Sequence, residues 1–133
     1  MKILIVDDSR FLRQMSERAL VKVGHEVVAA VDGEEGLRLA GEHKPDLIVL
    51  DMMLPKLPGQ DVLRALRKDT GTVAIPVMVL TSLPQCNEDK LVSEGATSYF
   101  EKSGLRLDKG PGAFVEAVET MLTRAQKAKA AGH

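Results

Sequence analysis

The sequence predicts an α/β fold, a doubly wound parallel sheet of five strands with helices on both faces. Short aliphatic runs alternate with segments of helical periodicity along the 133 residues, as they do in βαβ units joined by right-handed crossovers. The main runs are continuously apolar, which fits strands buried on both faces. Four of the five stop at residues that carry chemistry: Asp7-Asp8, Asp51, Thr81 and Lys102. In a parallel sheet these ends share one edge, where open α/β sheets collect their ligands.

The first run, Lys2 to Val6, ends at Asp7-Asp8-Ser9, and Ser9 suits the N-cap of a helix. Phe11, Leu12, Met15, Ala19, Leu20 and Val23 follow at helical spacing until Gly24 stops them. Glu26 to Val31 reads as a second strand, and Asp32-Gly33 turns into a helix with Glu34-Glu35 in its first turn. Pro45-Asp46 opens the third run, Leu47-Ile48-Val49-Leu50, which stops at Asp51. Pro55, Pro58 and Gly59 then force a turn, so a helix carrying Val62, Leu63 and Leu66 starts too late for Asp51 to cap it. That helix ends near Gly71. Ile75 to Leu80 is the fourth strand, stopping at Thr81-Ser82, and Asn87 to Glu94 a short helix closed by Gly95. Thr97 to Phe100 is the fifth strand, stopping at Glu101-Lys102. After a glycine-rich loop, Ser103 to Gly112, the residues Phe114, Val118, Met121, Leu122 and Ala125 mark an amphipathic helix. One domain over residues 1–125 is expected, with a fraying Ala/Lys-rich tail over residues 126–133.

Composition narrows the function. A formal net charge of −1 gives no basic field to recruit nucleic acid or an anionic membrane. Aromatics at 3% argue against a base-stacking surface. Cys86 is the only cysteine, so neither an internal disulfide nor a cysteine metal cluster can form, and a reducing compartment fits. The first apolar run is too short for a signal peptide or a membrane span, so a cytoplasmic location is expected. His25, His43 and His133 lack ligand spacing and are expected to be solvated.

Three carboxylates, a hydroxyl and an ammonium along one edge make an unusual pocket. Asp7, Asp8 and Asp51 repel one another unless a cation offsets them. Oxygen donors without histidine or thiolate select Mg²⁺, or Mn²⁺, over zinc. Mg²⁺ commonly keeps waters and a phosphoryl oxygen in its sphere, so the site suits phosphate. Lys102 adds a positive charge, and Thr81 a hydroxyl for a phosphoryl oxygen. A carboxylate flanked by a metal and a lysine can attack phosphorus, giving an aspartyl phosphate.

With these residues in place, residues from about Lys2 to Met121 resemble a receiver domain of two-component response regulators, in the stand-alone form of the chemotaxis and sporulation regulators. The resemblance rests on Asp7-Asp8, Asp51, Thr81-Ser82, Lys102, the turn Pro55-Lys56-Leu57-Pro58-Gly59, and Tyr99 three residues before Lys102. It implies a flavodoxin-like strand order 2-1-3-4-5, with Asp51 as phosphoacceptor. It implies that Asp8 and Asp51 ligate Mg²⁺ directly, Asp7 acts through water and the Met53 backbone carbonyl joins them. Thr81 and Tyr99 would be switch residues and Lys102 would bridge to the phosphoryl group. The phosphoryl donor would be a histidine kinase or a phosphotransfer protein. Output would run through the surface of the predicted fourth helix, fifth strand and last helix, by protein contact from a monomer or a phosphorylation-dependent dimer. Direct nucleic-acid or membrane binding is not expected, and the chain would be a signalling switch rather than an enzyme in the usual sense.

Three departures from the family pattern stand out. The family usually places proline after this lysine, in a cis peptide, whereas Ser103 follows Lys102 here. A cis bond before a non-proline residue costs roughly 2.5–4 kcal/mol, so a trans bond or a rearranged loop is expected. The Ser103–Gly112 loop is a few residues longer than usual. Met53 and Leu83, two positions after Asp51 and Thr81, are both apolar and cannot orient an attacking water by hydrogen bonding, which predicts slow self-dephosphorylation. Rival functions fit less well. A partner-binding pseudo-receiver would lack one of the acidic or lysine positions. A phosphatase of the haloacid dehalogenase type would place Asp, not Met, at position 53. A flavin carrier would not place Asp7-Asp8 against its phosphate.

Overall fold

The computed structural model describes residues 1–51, 57, 59–81, 98–101 and 112–131. Five parallel strands form one sheet: β1 (Lys2–Val6), β2 (Glu26–Ala30), β3 (Leu47–Asp51), β4 (Val77–Thr81) and β5 (Ser98–Glu101). Their order is β2-β1-β3-β4-β5, as the sequence and its resemblance lead one to expect. Between them run helices α1 (Arg10–Lys22), α2 (Gly33–His43) and α3 (Gly59–Lys68), and a last helix, here α4, spans Gly112–Ala131. The predicted helix over Asn87 to Glu94 lies outside the described residues.

Side-chain alternation along the strands sorts the core into two compartments. Leu4, Val6, Ile48, Leu50, Val77 and Val79 pack with Ala40 of α2 and Val62, Leu63 and Leu66 of α3. Ile3, Ile5, Leu47, Val49, Met78 and Leu80 pack with Leu20 of α1 and Phe114, Val118, Met121 and Leu122 of α4. Every strand of the centre is therefore covered twice, which is why its sequence shows no polar alternation.

Local chemistry sets the element ends. Ser9 caps α1 by accepting from the Leu12 N–H at 3.3 Å, and Gly24 takes φ +99° where the chain leaves the helix. Asp32 caps α2 by accepting from the Glu35 N–H at 2.8 Å, while the Glu35 carboxylate accepts from the Val31 N–H at 3.2 Å. This reciprocal pair ends β2 at Ala30, one residue before the expected Val31. Strand β4 begins at Val77 rather than Ile75 because Pro76 has no N–H to donate. The turn before it is pinned by Arg67, whose Nη1 donates to the Val73 and Ile75 carbonyls at 2.9 and 2.7 Å. Burial lowers the pKa of that guanidinium.

Three expectations are corrected. Phe11 does not face the core; it is 71% exposed, because α1 turns Ser16 and Leu20 inward and leaves Phe11 on the outer side. His25 is not solvated: its side chain is 10% exposed and its Nε2 lies 2.8 Å from Glu119 Oε1 on α4. Residues 126–131, expected as a fraying tail, are helical and continue α4 as far as Ala131. The run Gln126-Lys127-Ala128-Lys129-Ala130-Ala131 consists of strong helix formers with no breaker before Gly132.

A close approach near the functional edge depends on glycine. A Cβ added to Gly33 would stand 2.5 Å from the Leu57 carbonyl oxygen, 2.8 Å from Leu57 Cβ and 2.8 Å from Val62 Cγ2. The start of α2 is thus the seat for Leu57. Gly33→Ala is expected to destabilise the fold by about 1–3 kcal/mol through overpacking, measured by urea unfolding; unchanged stability would show that Leu57 and Val62 yield freely.

Candidate functional site

Strands β1 and β3 are neighbours, with Val6 paired to Leu50. Their C-terminal ends therefore deliver Asp7 and Asp51 side by side. Both follow the alternation of Ile3, Ile5, Leu47 and Val49, so they lie on the α1 side of the sheet. Asp7 is 4% exposed and Asp51 3%, whereas Asp8 is exposed to solvent. One carboxylate oxygen from each of the three lies within 4.8 Å of the others. The expected acidic cluster is assembled.

The loop that carries two of these acids is tightly held. The Asp7 N–H donates to the Ala30 carbonyl at 3.2 Å on β2. Asp7 Oδ1 accepts from the Ser9 N–H at 2.9 Å, and the Asp7 carbonyl accepts from Arg13 Nη1 at 2.8 Å. The cluster also stands at the N-terminus of α1, whose unpaired N–H groups and dipole favour negative charge.

What can this arrangement do? Three oxygen donors within 4.8 Å, two of them buried, fit a small hard divalent cation and offer no soft ligand to zinc or copper. Asp51 is a buried carboxylate at a strand end, within reach of the two other acids. The site can hold a phosphoryl group against a carboxylate nucleophile.

The other predicted residues are only partly placed. Thr81 ends β4 beside β3, in register with Glu101 on β5, and Asp51 pairs with Leu80. Tyr99 lies within β5, paired with Val79. The backbone therefore brings the end of β4 to the Asp51 edge, and Lys102 follows the last residue of β5. Lys102, Met53, Leu83, the Lys102–Ser103 peptide and the loop after Ser103 lie outside the described residues. Arg13 was missed on the sequence. One signal existed: α1 has no acidic residue in its first turn and carries Arg10 and Arg13 near its start, against the preference of the helix dipole.

Known proteins show the same pattern. Residues 3–108 match the family described as the response regulator receiver domain. The chain is 43% identical over 103 residues to the DNA-binding dual master transcriptional regulator RpaA of Synechocystis sp., covering 76% of this chain and 42% of that protein. It is 40% identical over 103 residues to protein PilH of Pseudomonas aeruginosa, covering 76% of this chain and 84% of that one. The chain thus spans less than half the length of RpaA. Among solved structures, the chemotaxis response regulator CheY4 of Vibrio cholerae superposes with a TM-score of 0.80 at 28% identity, covering 90% of this chain and 97% of that one. Among the described residues, no helix is long and apolar enough to cross a membrane.

Proposed function

The chain belongs to the response regulator receiver domains of two-component systems, and from that premise we propose that it is a phosphoacceptor switch centred on Asp51. The observation that carries the proposal is the packing of the Asp7, Asp8 and Asp51 carboxylates within 4.8 Å, with Asp51 buried at a strand end. The phosphoryl donor is a phosphohistidine on a histidine kinase or a phosphotransfer protein. An Asp51 carboxylate oxygen attacks phosphorus, the P–N bond breaks, and the electron pair leaves with the imidazole. Asp51 then carries an aspartyl phosphate.

Asp8 and Asp51 would hold Mg²⁺ directly, with Asp7 acting through water and the Met53 carbonyl as a further ligand. When bound, the ion neutralises charge on the phosphoryl oxygens. Lys102 bridges to the phosphoryl group, Thr81 donates its hydroxyl to a phosphoryl oxygen, and Tyr99 fills the space that Thr81 vacates. The surface of the predicted helix over Asn87 to Glu94, β5 and α4 then presents a different face to an output protein. This is a population shift between two states, driven by the phosphoryl group's preference for one of them. The chain works as a switch rather than as a turnover enzyme, in the cytoplasm and without direct contact to nucleic acid.

Incubation with acetyl phosphate, read by intact mass, tests the reading. One added phosphoryl group is expected with Mg²⁺ and none with a chelator; no gain in either condition overturns it. A second measurement concerns lifetime. Met53→Asn combined with Leu83→Glu is expected to speed phosphoryl loss, because both new side chains can orient an attacking water. An unchanged rate would remove these positions from the timing of the signal.

A further inference from the structure

We propose that Arg13 is a positioning residue for the metal-binding acids, acting through the peptide that joins Asp7 to Asp8. This rests on the reading of the acidic cluster as a Mg²⁺ site. The aim of the exposed Asp8 side chain is set by the two peptide planes on either side of its Cα. The plane after it is fixed by the Ser9 N–H, which donates to Asp7 Oδ1 at 2.9 Å. The plane before it is fixed by Arg13, whose Nη1 donates to the Asp7 carbonyl at 2.8 Å. The Asp7 N–H is already engaged with Ala30 on β2. Each peptide unit from Asp7 to Ser9 is thereby tied, and the tie on the central one is a charge-assisted bond from a side chain six residues away.

Arg13 can make this bond because α1 begins at Arg10, under the Ser9 cap, so that the helix returns its first turn over the end of β1. The guanidinium brings a second, opposing effect. A positive charge near the acids disfavours a second cation there, while an ordered donor set favours it. Partners that orient metal ligands typically change affinity by about 10–100-fold when removed. The half-buried Arg13 charge stands against the Asp7 carbonyl, whose dipole offsets part of its repulsion of a cation, so its removal changes affinity less. Positioning therefore wins, and loss of Arg13 weakens binding despite removing a like charge.

The test is titration of the metal-free full chain with Mg²⁺ by calorimetry, for the wild type, Arg13→Lys, Arg13→Leu and Arg13→Met. Arg13→Met is expected to weaken Mg²⁺ binding by about tenfold or more. Arg13→Lys keeps the charge and one donor and is expected to bind within about threefold of wild type. Melting in chelator, followed in parallel, identifies any variant that fails to fold, and Arg13→Leu carries the comparison if Arg13→Met does so. Unchanged or tighter binding in Arg13→Met or Arg13→Leu overturns the role of Arg13 while leaving the metal site standing. A Lys variant as weak as Met also overturns it, since a peptide tie should be rescued. Absence of Mg²⁺ binding in the wild type overturns the site reading and this inference together.

Discussion

Asp51→Asn is expected to abolish phosphoryl uptake from acetyl phosphate, with no mass gain under conditions where the wild type gains one phosphoryl group. The amide is close in size and can sit at the same strand end, where Asp51 is 3% exposed and paired in register with Leu80. What it lacks is a nucleophilic oxygen bearing negative charge. Because the sheet and its two cores are untouched, the variant is expected to keep the wild-type secondary structure by circular dichroism. A mass gain in the variant equal to wild type would move the phosphoacceptor elsewhere and remove the main support for the proposed switch.

Asp8→Asn is expected to reverse its effect on stability when metal is added. Three carboxylates within 4.8 Å cost the folded state free energy while no cation is bound. Coulomb's law puts each pair at about 1 kcal/mol in water-like surroundings and about 4 kcal/mol at an effective dielectric of 20. Asp8 is exposed, so its removal should stabilise the metal-free protein near the lower figure, about 1 kcal/mol. With Mg²⁺ at a hundredfold excess over its dissociation constant, the wild type gains about 2.7 kcal/mol by mass action. On the proposed ligation, the variant lacks a direct ligand and gains far less. Urea unfolding in chelator should therefore rank Asp8→Asn above wild type, and unfolding in Mg²⁺ should rank it below. A variant that is less stable in both conditions would mean that Asp8 does not bear a cost held for binding.

The legible part of this chain was what local pattern encodes. Runs such as Leu47-Ile48-Val49-Leu50 announce a strand covered on both faces, and parallel strands oblige their ends to meet. Asp7, Asp8 and Asp51 could thus be placed together before any coordinates. Ser9, Asp32 and Gly24 mark helix ends by chemistry that acts within three residues or so. Less legible were contacts whose partners are remote in sequence. His25 meets Glu119 across 94 positions, and no spacing rule links them. Gly33 reads as a turn residue, yet its second constraint is Leu57 pressing where a Cβ would be. Phe11 matched a helical stripe, but the stripe left two rotational settings open and packing around Ser16 chose between them. Residues 126–131 were misjudged because composition was read as a sign of a loose tail when the same alanines and lysines favour helix.

The division of the core has a consequence for engineering. The two compartments share a sheet but not their outer walls, so they can be altered separately. Both buried acids stand on the side walled by α1 and α4, so repacking there disturbs the bed on which the chemistry rests. Positions under α2 and α3, such as Val62, Leu63 and Leu66, bear on the opposite wall. Stabilising substitutions are best sought in that wall, away from the Gly33–Leu57 contact, where the molecule can be made sturdier while the acidic edge keeps its shape.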